Sequence, residues 1–142
     1  MPLTRIALRA GKPAAYRQAL TESIQRALVE TFNVPEDDTF MAITEHDAHN
    51  LVFDRRYLGI DRSDDFVLIQ IVVSNTRTLE QKKALYKRIA DHLAERPGVR
   101  REDVFINLVE VSKEDWSFGN GVAQYMEHQP PKHGFSSSWS AT

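Results

Sequence analysis

Residues 14–45 read AAYRQALTESIQRALVETFNVPEDDTFMAITE, and they align without a gap with residues 79–110, which read LEQKKALYKRIADHLAERPGVRREDVFINLVE. At this offset of 65 residues the chain matches itself at nine positions, more than composition alone would produce. The pairs are Ala19/Ala84, Leu20/Leu85, Ile24/Ile89, Leu28/Leu93, Glu30/Glu95, Val34/Val99, Asp38/Asp103, Phe40/Phe105 and Glu45/Glu110. The repeat predicts two fused copies of one folding unit.

Each copy carries the start and stop signals of a helix. Gly11-Lys12-Pro13 places a proline in the first turn of the first helix, and Asn33-Val34-Pro35 ends it. Thr78-Leu79-Glu80-Gln81 has the form of a capping box, and Arg96-Pro97-Gly98 is the second stop. Apolar side chains at helical spacing line one face of each helix: Tyr16, Ala19, Leu20, Ile24, Ala27 and Leu28 in the first, and Ala84, Leu85, Ile89 and Leu93 in the second.

Strands are predicted on both sides of each helix. Leu3–Leu8 alternates, Phe66–Val73 is apolar almost throughout, and Thr39–Glu45 and Val104–Val111 follow the helices. Because each helical connection is long enough for a parallel crossover, the pattern predicts an α+β fold with a four-stranded mixed sheet and both helices on one side. We assign residues 1–126 to one domain of two β-α-β units, about 2–60 and 61–126.

Two further segments have less regular patterns. A short hairpin strand is expected at Leu51-Val52-Phe53, within the polar connection between the two units. The tail 127–142 contains Pro130-Pro131 and a serine run, so it cannot continue a regular element. It is either disordered or packed on a neighbouring subunit, in which case Phe135 and Trp139 would be its anchors.

Composition narrows the class of protein. The 142 residues carry a formal net charge of -2 with no basic stripe, which gives nucleic-acid binding no electrostatic support. The absence of cysteine excludes thiol catalysis and is compatible with a reducing compartment. No apolar run is long enough to span a bilayer, and no signal peptide is evident. We expect a soluble cytoplasmic protein with no nucleic-acid or membrane partner.

The amino terminus is a candidate catalytic group. If Met1 is removed, Pro2 becomes a free secondary amine at the start of the first strand, and α-amino groups titrate near pH 8. If the first strands of the two units pair antiparallel, Pro2 lies near Ser74-Asn75-Thr76-Arg77. Arg77 precedes the predicted cap Thr78, so its guanidinium and the helix amides could converge on an anion. The alternative is that Arg77 is an ordinary solvated charge.

These residues carry a family resemblance. Pro2 after the initiator, the doubled β-α-β unit, Val34-Pro35-Glu36-Asp37-Asp38, the arginine before the second helix, and Asp115-Trp116-Ser117-Phe118-Gly119 followed by Tyr125 together resemble the tautomerase superfamily. Within it the chain is most similar to the malonate semialdehyde decarboxylase group, over about residues 2–126. The resemblance implies a homotrimer of doubled units in which the amino-terminal proline acts on a small carboxylic acid.

The resemblance assigns roles to individual residues. Pro2, Asp38 and Arg77 match catalytic positions, with Arg77 also holding the substrate carboxylate. Trp116, Phe118 and Tyr125 match aromatic residues that wall the pocket. The decarboxylases have two arginines one residue apart, whereas this chain has Asn75-Thr76-Arg77, so Asn75 is the expected substrate-binding residue beside Arg77. Because the second arginine is missing, the reaction remains open among decarboxylation, hydration and tautomerisation.

Other interpretations of the same residues remain open. Asp38 is repeated as Asp103 and could be a turn residue kept from the duplication, and the aromatic residues could be core or interface side chains. His46-Asp47-Ala48-His49 is weak evidence for a metal site, and the sequence has no nucleotide-binding fingerprint, so we expect no cofactor or metal. The competing function is a non-enzymatic ferredoxin-like module that binds a small metabolite.

Overall fold

The computed structural model of the protein describes residues 1–127. Four strands form one sheet: β1 (Leu3–Arg9), β2 (Met41–His46), β3 (Val67–Ser74) and β4 (Val104–Val111). Two long helices, α1 (Ala14–Phe32) and α2 (Leu79–Glu95), connect β1 to β2 and β3 to β4, and a short helix α3 (Gln124–Glu127) follows. The expectations for the tail, including Phe135 and Trp139, lie outside the described residues.

The sheet has the mixed pairing that the repeat predicts. Its strand order is β2-β1-β3-β4, with β1 parallel to β2 and β3 parallel to β4. The two units meet through the antiparallel pair β1 and β3, in which Leu3 lies opposite Val72. The start of the chain therefore lies beside the end of β3, next to residues 74–77, as expected if the first strands of the two units pair antiparallel.

The helix boundaries follow from their capping residues. Pro13 precedes α1 in an extended conformation, and Asn33 ends the helix in the left-handed region at φ 55°. At the start of α2, Thr78 accepts a hydrogen bond from the amide of Gln81, whose side chain accepts from the amide of Thr78. The predicted capping box is therefore present, and it fixes the residue at which the chain turns from β3 into α2.

The core lies between the sheet and the two helices. Alternate side chains of the central strands β1 and β3 face inward and pack on the apolar stripes of α1 and α2. The fully buried residues include Ile6, Leu20, Ile24, Ile69, Ile71, Leu85, Ile89 and Leu93. The opposite face of the sheet is more exposed and mixed in character, with Arg5 and Phe105 among its side chains.

The connection between the units differs from its prediction. Residues 51–53 form no strand, so the expected hairpin strand is wrong. The ring of Phe53 instead stacks on that of Phe66, with centroids 4.2 Å apart and an interplanar angle of 17°. Stacking of aromatic side chains, rather than a backbone ladder, holds this segment against the sheet.

Candidate active site

The amino terminus lies between Asp38 and Tyr125. The amine of Met1 is 3.9 Å from Oδ2 of Asp38 and donates to the hydroxyl of Tyr125 at 3.5 Å. Only 12% of the Met1 side chain and 13% of the Asp38 side chain are exposed. Pro2 is buried at the entry to β1. Its ring nitrogen is in an amide bond with Met1, so loss of Met1 would place a secondary amine in this environment.

The surroundings change the acidity of the amine. The pKa of the Met1 amine is lowered from 8.0 to about 5, and burial is the largest cause of this net shift. The charge of Asp38 acts in the opposite direction and raises this pKa, whereas the charges of Arg77 and Lys113 lower it further. An amine with such a pKa is neutral at pH 7 and is able to accept a proton.

Asp38 occupies a half-buried position in the loop before β2. Burial raises the pKa of its carboxyl, while the positive amino terminus lowers it. Its Oδ1 is buried and accepts no hydrogen bond from a described residue. Gln25 of α1 fixes the loop, because its Nε2 donates to the carbonyls of Pro35 at 3.3 Å and Asp38 at 3.2 Å. Asp38 is thus a positioned carboxylate with one unused acceptor atom.

Arg77 links the end of α1 to the start of α2. Its guanidinium donates to the carbonyl of Phe32 at 2.7 Å and lies 4.9 Å from the centroid of the Phe32 ring. Burial lowers the pKa of Arg77, and the neighbouring Tyr125 and Asp38 raise it. The charge of Arg77 therefore acts on the amine, on Asp38 and on Tyr125. A cation at the carboxyl end of α1 also has a structural role, because it complements the helix dipole.

Asn75 is exposed beyond the end of β3. Its main-chain amide donates to the carbonyl of Val111 at 2.9 Å, which ties the segment before Arg77 to β4. This bond explains the position of the backbone and assigns no contact to the Asn75 side chain.

Three aromatic residues form a wall beside the amine. The rings of Trp116 and Phe118 stack with centroids 5.5 Å apart, and Tyr125 meets Phe118 edge-on at 5.0 Å. Gln124 braces the intervening loop, because its Oε1 accepts from the amide of Phe118 at 2.9 Å and its Nε2 donates to the carbonyl of Gly119 at 2.8 Å. The sequence-predicted aromatic residues therefore lie together, next to the amino terminus.

A cavity of about 170 Å³, here called the first pocket, opens between this wall and the amino terminus. It is lined by Met1, Leu3, Phe40, Trp116, Ser117 and Phe118. The indole Nε1 of Trp116 is buried and donates to no described residue. Three residues near the amine, Leu3, Phe40 and Lys113, were not predicted as site residues, although the repetition of Phe40 as Phe105 is a signal that could have found one of them.

The repeat partner of Asp38 has a different environment. Asp103 is fully buried, and its carboxylate accepts from the amide of Ser63 at 2.7 Å and from its hydroxyl at 2.6 Å. Arg100 lies 3.6 Å from the same carboxylate. Asp103 is therefore a structural residue that holds the chain before β3, whereas Asp38 faces the amino terminus.

The weak histidine motif has a structural explanation. Asp47 Oδ1 accepts hydrogen bonds from the amides of His49 and Asn50 at 2.9 and 3.0 Å, which closes a turn after β2. Across residues 1–127, no group of three or more histidine, aspartate, glutamate or cysteine residues is arranged to hold a metal ion. Over the same range, no helix combines the length and apolar character needed to cross a membrane.

Known proteins resemble this chain over most of its length. Two family models, both described as tautomerase enzyme, match residues 38–119 and residues 2–59. The probable tautomerase YusQ of Bacillus subtilis (strain 168) is 43% identical over 127 residues, which cover 89% of this chain and 100% of that protein.

Solved structures share the fold. Crystal structures of wild-type, mutant and inactivated malonate semialdehyde decarboxylase, described for decarboxylase and hydratase activities, align with a TM-score of 0.82 at 33% identity, covering 87% of this chain and 95% of that chain. A malonate semialdehyde decarboxylase inhibited by 3-bromopropiolate aligns with a TM-score of 0.82 at 36% identity, covering 87% and 94%. A fused 4-OT solved as a symmetric trimer has the same fold, with a TM-score of 0.70 at 21% identity, covering 84% and 94%.

Proposed function

The chain belongs to the tautomerase family, and we propose that it is an enzyme that uses Pro2 as an amino-terminal catalytic amine on a small 3-oxo or unsaturated carboxylic acid. The observation that carries the proposal is that the amino terminus lies 3.9 Å from Asp38, is influenced by the charge of Arg77, and borders the first pocket. Decarboxylation of malonate semialdehyde is the favoured reaction, because two such decarboxylases are 33% and 36% identical to this chain.

Two buried polar atoms close to the amino terminus have no partner in the described part of the chain, which supports binding of a substrate there. Asp38 Oδ1 and Trp116 Nε1 are both buried and have no hydrogen-bond partner among residues 1–127. A buried polar group without a partner costs about 1–3 kcal/mol, so a substrate or water that pairs with these atoms gains affinity. Trp116 Nε1 is a donor that suits a carbonyl oxygen of a substrate, and Asp38 Oδ1 is an acceptor that suits a bound water.

In the decarboxylation that we propose, Arg77 and the amides at the start of α2 hold the substrate carboxylate. The negative substrate raises the pKa of Pro2, which then donates a hydrogen bond to the aldehyde oxygen. The bond between the carboxylate carbon and C2 breaks, and carbon dioxide leaves. The electron pair of the broken bond stays on the remaining fragment as an enolate, which the Pro2 cation stabilises. Such a preorganised donor contributes about 3–4 kcal/mol. C2 then takes up a proton to give acetaldehyde.

A second reaction, keto-enol tautomerisation, is proposed for the same site. Burial lowers the pKa of the Met1 amine, and we expect burial to act in the same direction on the Pro2 amine once Met1 is lost, so that a neutral Pro2 removes a proton from carbon and returns it elsewhere. Hydration is a third reaction of the same site, in which Asp38 activates a water for addition to an unsaturated acid. The raised pKa of Asp38 brings its basicity closer to the working pH.

We further propose that the protein is a homotrimer. Its edge strands β2 and β4 and the apolar side chains exposed on the sheet offer surface that other copies could cover. On the edge strand β4, Val109 is 36% exposed in the single chain. The fused 4-OT of the same fold, solved as a trimer, supports this arrangement.

The test is an assay of the chain beginning at Pro2 with malonate semialdehyde, an acetylenic acid and phenylpyruvate. We expect turnover of at least one substrate, and a rise in KM for Arg77→Ala because the carboxylate loses its cation. Arg26→Ala is the matched control, because Arg26 is 65% exposed on α1 and pairs with Glu30. No turnover of any substrate, or equal KM for both variants, would favour the alternative of a metabolite-binding module.

A further inference from the structure

A larger pocket, here called the second pocket, lies at the other end of the sheet. Its volume is about 500 Å³, and it is lined by Val52, Phe53, Asp54, Tyr57, Arg62, Phe66, Leu68 and Phe105. Because β1 and β3 run antiparallel, the start of β3 lies at the opposite end of the sheet from the start of β1. The second pocket therefore does not share a residue with the first.

The internal repeat relates the two pockets. At the offset of 65 residues, Met1, Leu3, Phe40, Ser117 and Phe118 of the first pocket correspond to Phe66, Leu68, Phe105, Val52 and Phe53 of the second. The turns that precede the two walls correspond as well. The amide of Asn50 donates to the carbonyl of Asp47 at 3.1 Å. In the same way, the amide of Asp115 donates to the carbonyl of Ser112 at 3.0 Å. The two copies of the repeat therefore form two pockets at corresponding positions.

The second copy has lost the groups proposed for catalysis. Phe66 occupies the position of the amino terminus, and its nitrogen is a main-chain amide that donates to the carbonyl of Ser63 at 3.2 Å. Asp103, the counterpart of Asp38, is occupied by Ser63. Lys12, the counterpart of Arg77, pairs with Asp65 at 2.7 Å. This pocket retains its shape and aromatic walls without a basic amine.

Its walls and its cation define a ligand class. The rings of Phe53, Phe66 and Phe105 lie in continuous contact, with Phe66 stacked on Phe53 and edge-on to Phe105 at 5.9 Å. Arg62 uses Nη1 to donate to the carbonyls of Asp54, Tyr57 and Ile60, and within residues 1–127 it forms no ion pair. Its remaining N–H groups match the two oxygens of a carboxylate.

We propose that the second pocket binds an aromatic monocarboxylate without converting it. The ring would pack on the three phenylalanines and the carboxylate would pair with Arg62. The volume falls within the range of about 300–1,000 Å³ that is usual for small-molecule sites. Asp54 also lines the pocket, but one of its carboxylate oxygens accepts from the amide of Arg56 at 2.8 Å, and its carbonyl helps to orient Arg62.

The experiment titrates the full chain with 3-phenylpropionate and with its neutral amide, 3-phenylpropionamide. Calorimetry gives the affinities, and amide chemical-shift mapping shows which pocket responds. We expect shifts in residues 52–68 and about tenfold tighter binding of the acid than of the amide, as a charge-assisted pair predicts. Equal affinities would overturn the recognition of a carboxylate by Arg62, and shifts confined to residues 113–125 would overturn the second site.

Two variants test the location independently of charge. Val52→Trp fills the mouth of the pocket, and Val52 is 86% exposed, so the substitution removes little packing. Leu58→Trp is the matched control, because Leu58 is 80% exposed on the same connection and does not line the pocket. We expect at least about tenfold weaker binding for Val52→Trp and no change for Leu58→Trp. Equal binding by both variants would overturn the proposal.

Light scattering of the same two variants tests whether a second copy of the chain, rather than a small ligand, covers the second pocket. If Val52→Trp changes the molar mass of the assembly and Leu58→Trp does not, a second copy of the chain covers the pocket, and the proposal of a small ligand is wrong. An unchanged mass together with weakened binding of 3-phenylpropionate supports it. Neither readout requires catalytic turnover, so failure of the second site and failure of the proposed enzyme activity are distinguishable.

Discussion

Replacing Asp38 by asparagine should lower the pKa of the amino-terminal amine. In the chain that retains Met1, the amine is 3.9 Å from Asp38 Oδ2, and the carboxylate raises the pKa of the amine against the effect of burial. At this distance, opposite charges attract by about 4 kcal/mol at an effective dielectric constant of about 20 and by about 1 kcal/mol in bulk water. The partly buried pair lies between these limits, so we expect a fall of about 1–2 pKa units from the wild-type value.

The assay is competitive acetylation of the amino terminus as a function of pH, with the modified fraction read by mass spectrometry. Arg77→Gln is the matched variant of opposite sign, because the charge of Arg77 lowers the pKa of the amine. We therefore expect the pKa to fall in Asp38→Asn and to rise in Arg77→Gln. An unchanged value in both variants, or shifts in the same direction, would refute the electrostatic description of the site.

Three further predictions follow from the structure. Asp103→Ala should lower the free energy of unfolding, measured by urea titration, by about 3–5 kcal/mol, because it removes a buried acceptor for Ser63 and a partner of Arg100. Asp38→Asn should lower it by less than about 1 kcal/mol. Similar losses in the two variants would contradict the different roles of the two residues. The free energy of unfolding of the Met1 form should rise from pH 5 to pH 8, because the unfolded amine keeps its proton up to about 8.0 while the folded amine loses it at about 5; a fall over this window in wild type relative to an acetylated amino terminus would contradict the buried amine. Light scattering at micromolar concentration should give about three times the chain mass of 16.3 kDa; a concentration-independent monomer would refute the trimer.

The fold could be predicted because its signals are local and occur twice. Pro13, Asn33 and the Thr78/Gln81 capping box each mark a helix end through the backbone groups that they satisfy. Repetition at 65 residues indicated two copies of one β-α-β unit, and the antiparallel pairing of their first strands, posed as a condition, is present in the structure. The expected strand at 51–53 was wrong because Phe53 is held by a ring stack on Phe66, a tertiary contact that a short apolar run does not distinguish from strand pairing.

The arrangement of the candidate site could be predicted in part. Antiparallel pairing of the first strands, which was assumed, brings the amino terminus to the segment before Arg77, and the family resemblance pointed to Asp38 and the aromatic wall. The contributions of Phe40, Lys113 and Gln25 were missed, since each depends on which side chains meet across the fold. The different partners of Asp38 and Asp103 could not be predicted from the repeat, because the same residue type faces the amino terminus in one copy and Ser63 in the other.

The most direct test of the central claim compares the chain beginning at Pro2 with the same chain retaining Met1 on malonate semialdehyde. In the Met1 form, the Pro2 nitrogen is an amide and cannot act as the secondary-amine catalyst, and the Met1 residue occupies part of the first pocket that a substrate would need. We predict turnover by the Pro2 form and a loss of at least about a hundredfold in kcat/KM for the Met1 form, the usual contribution of a positioned acid or base. Equal kcat/KM for the two forms would contradict catalysis by the amino-terminal proline.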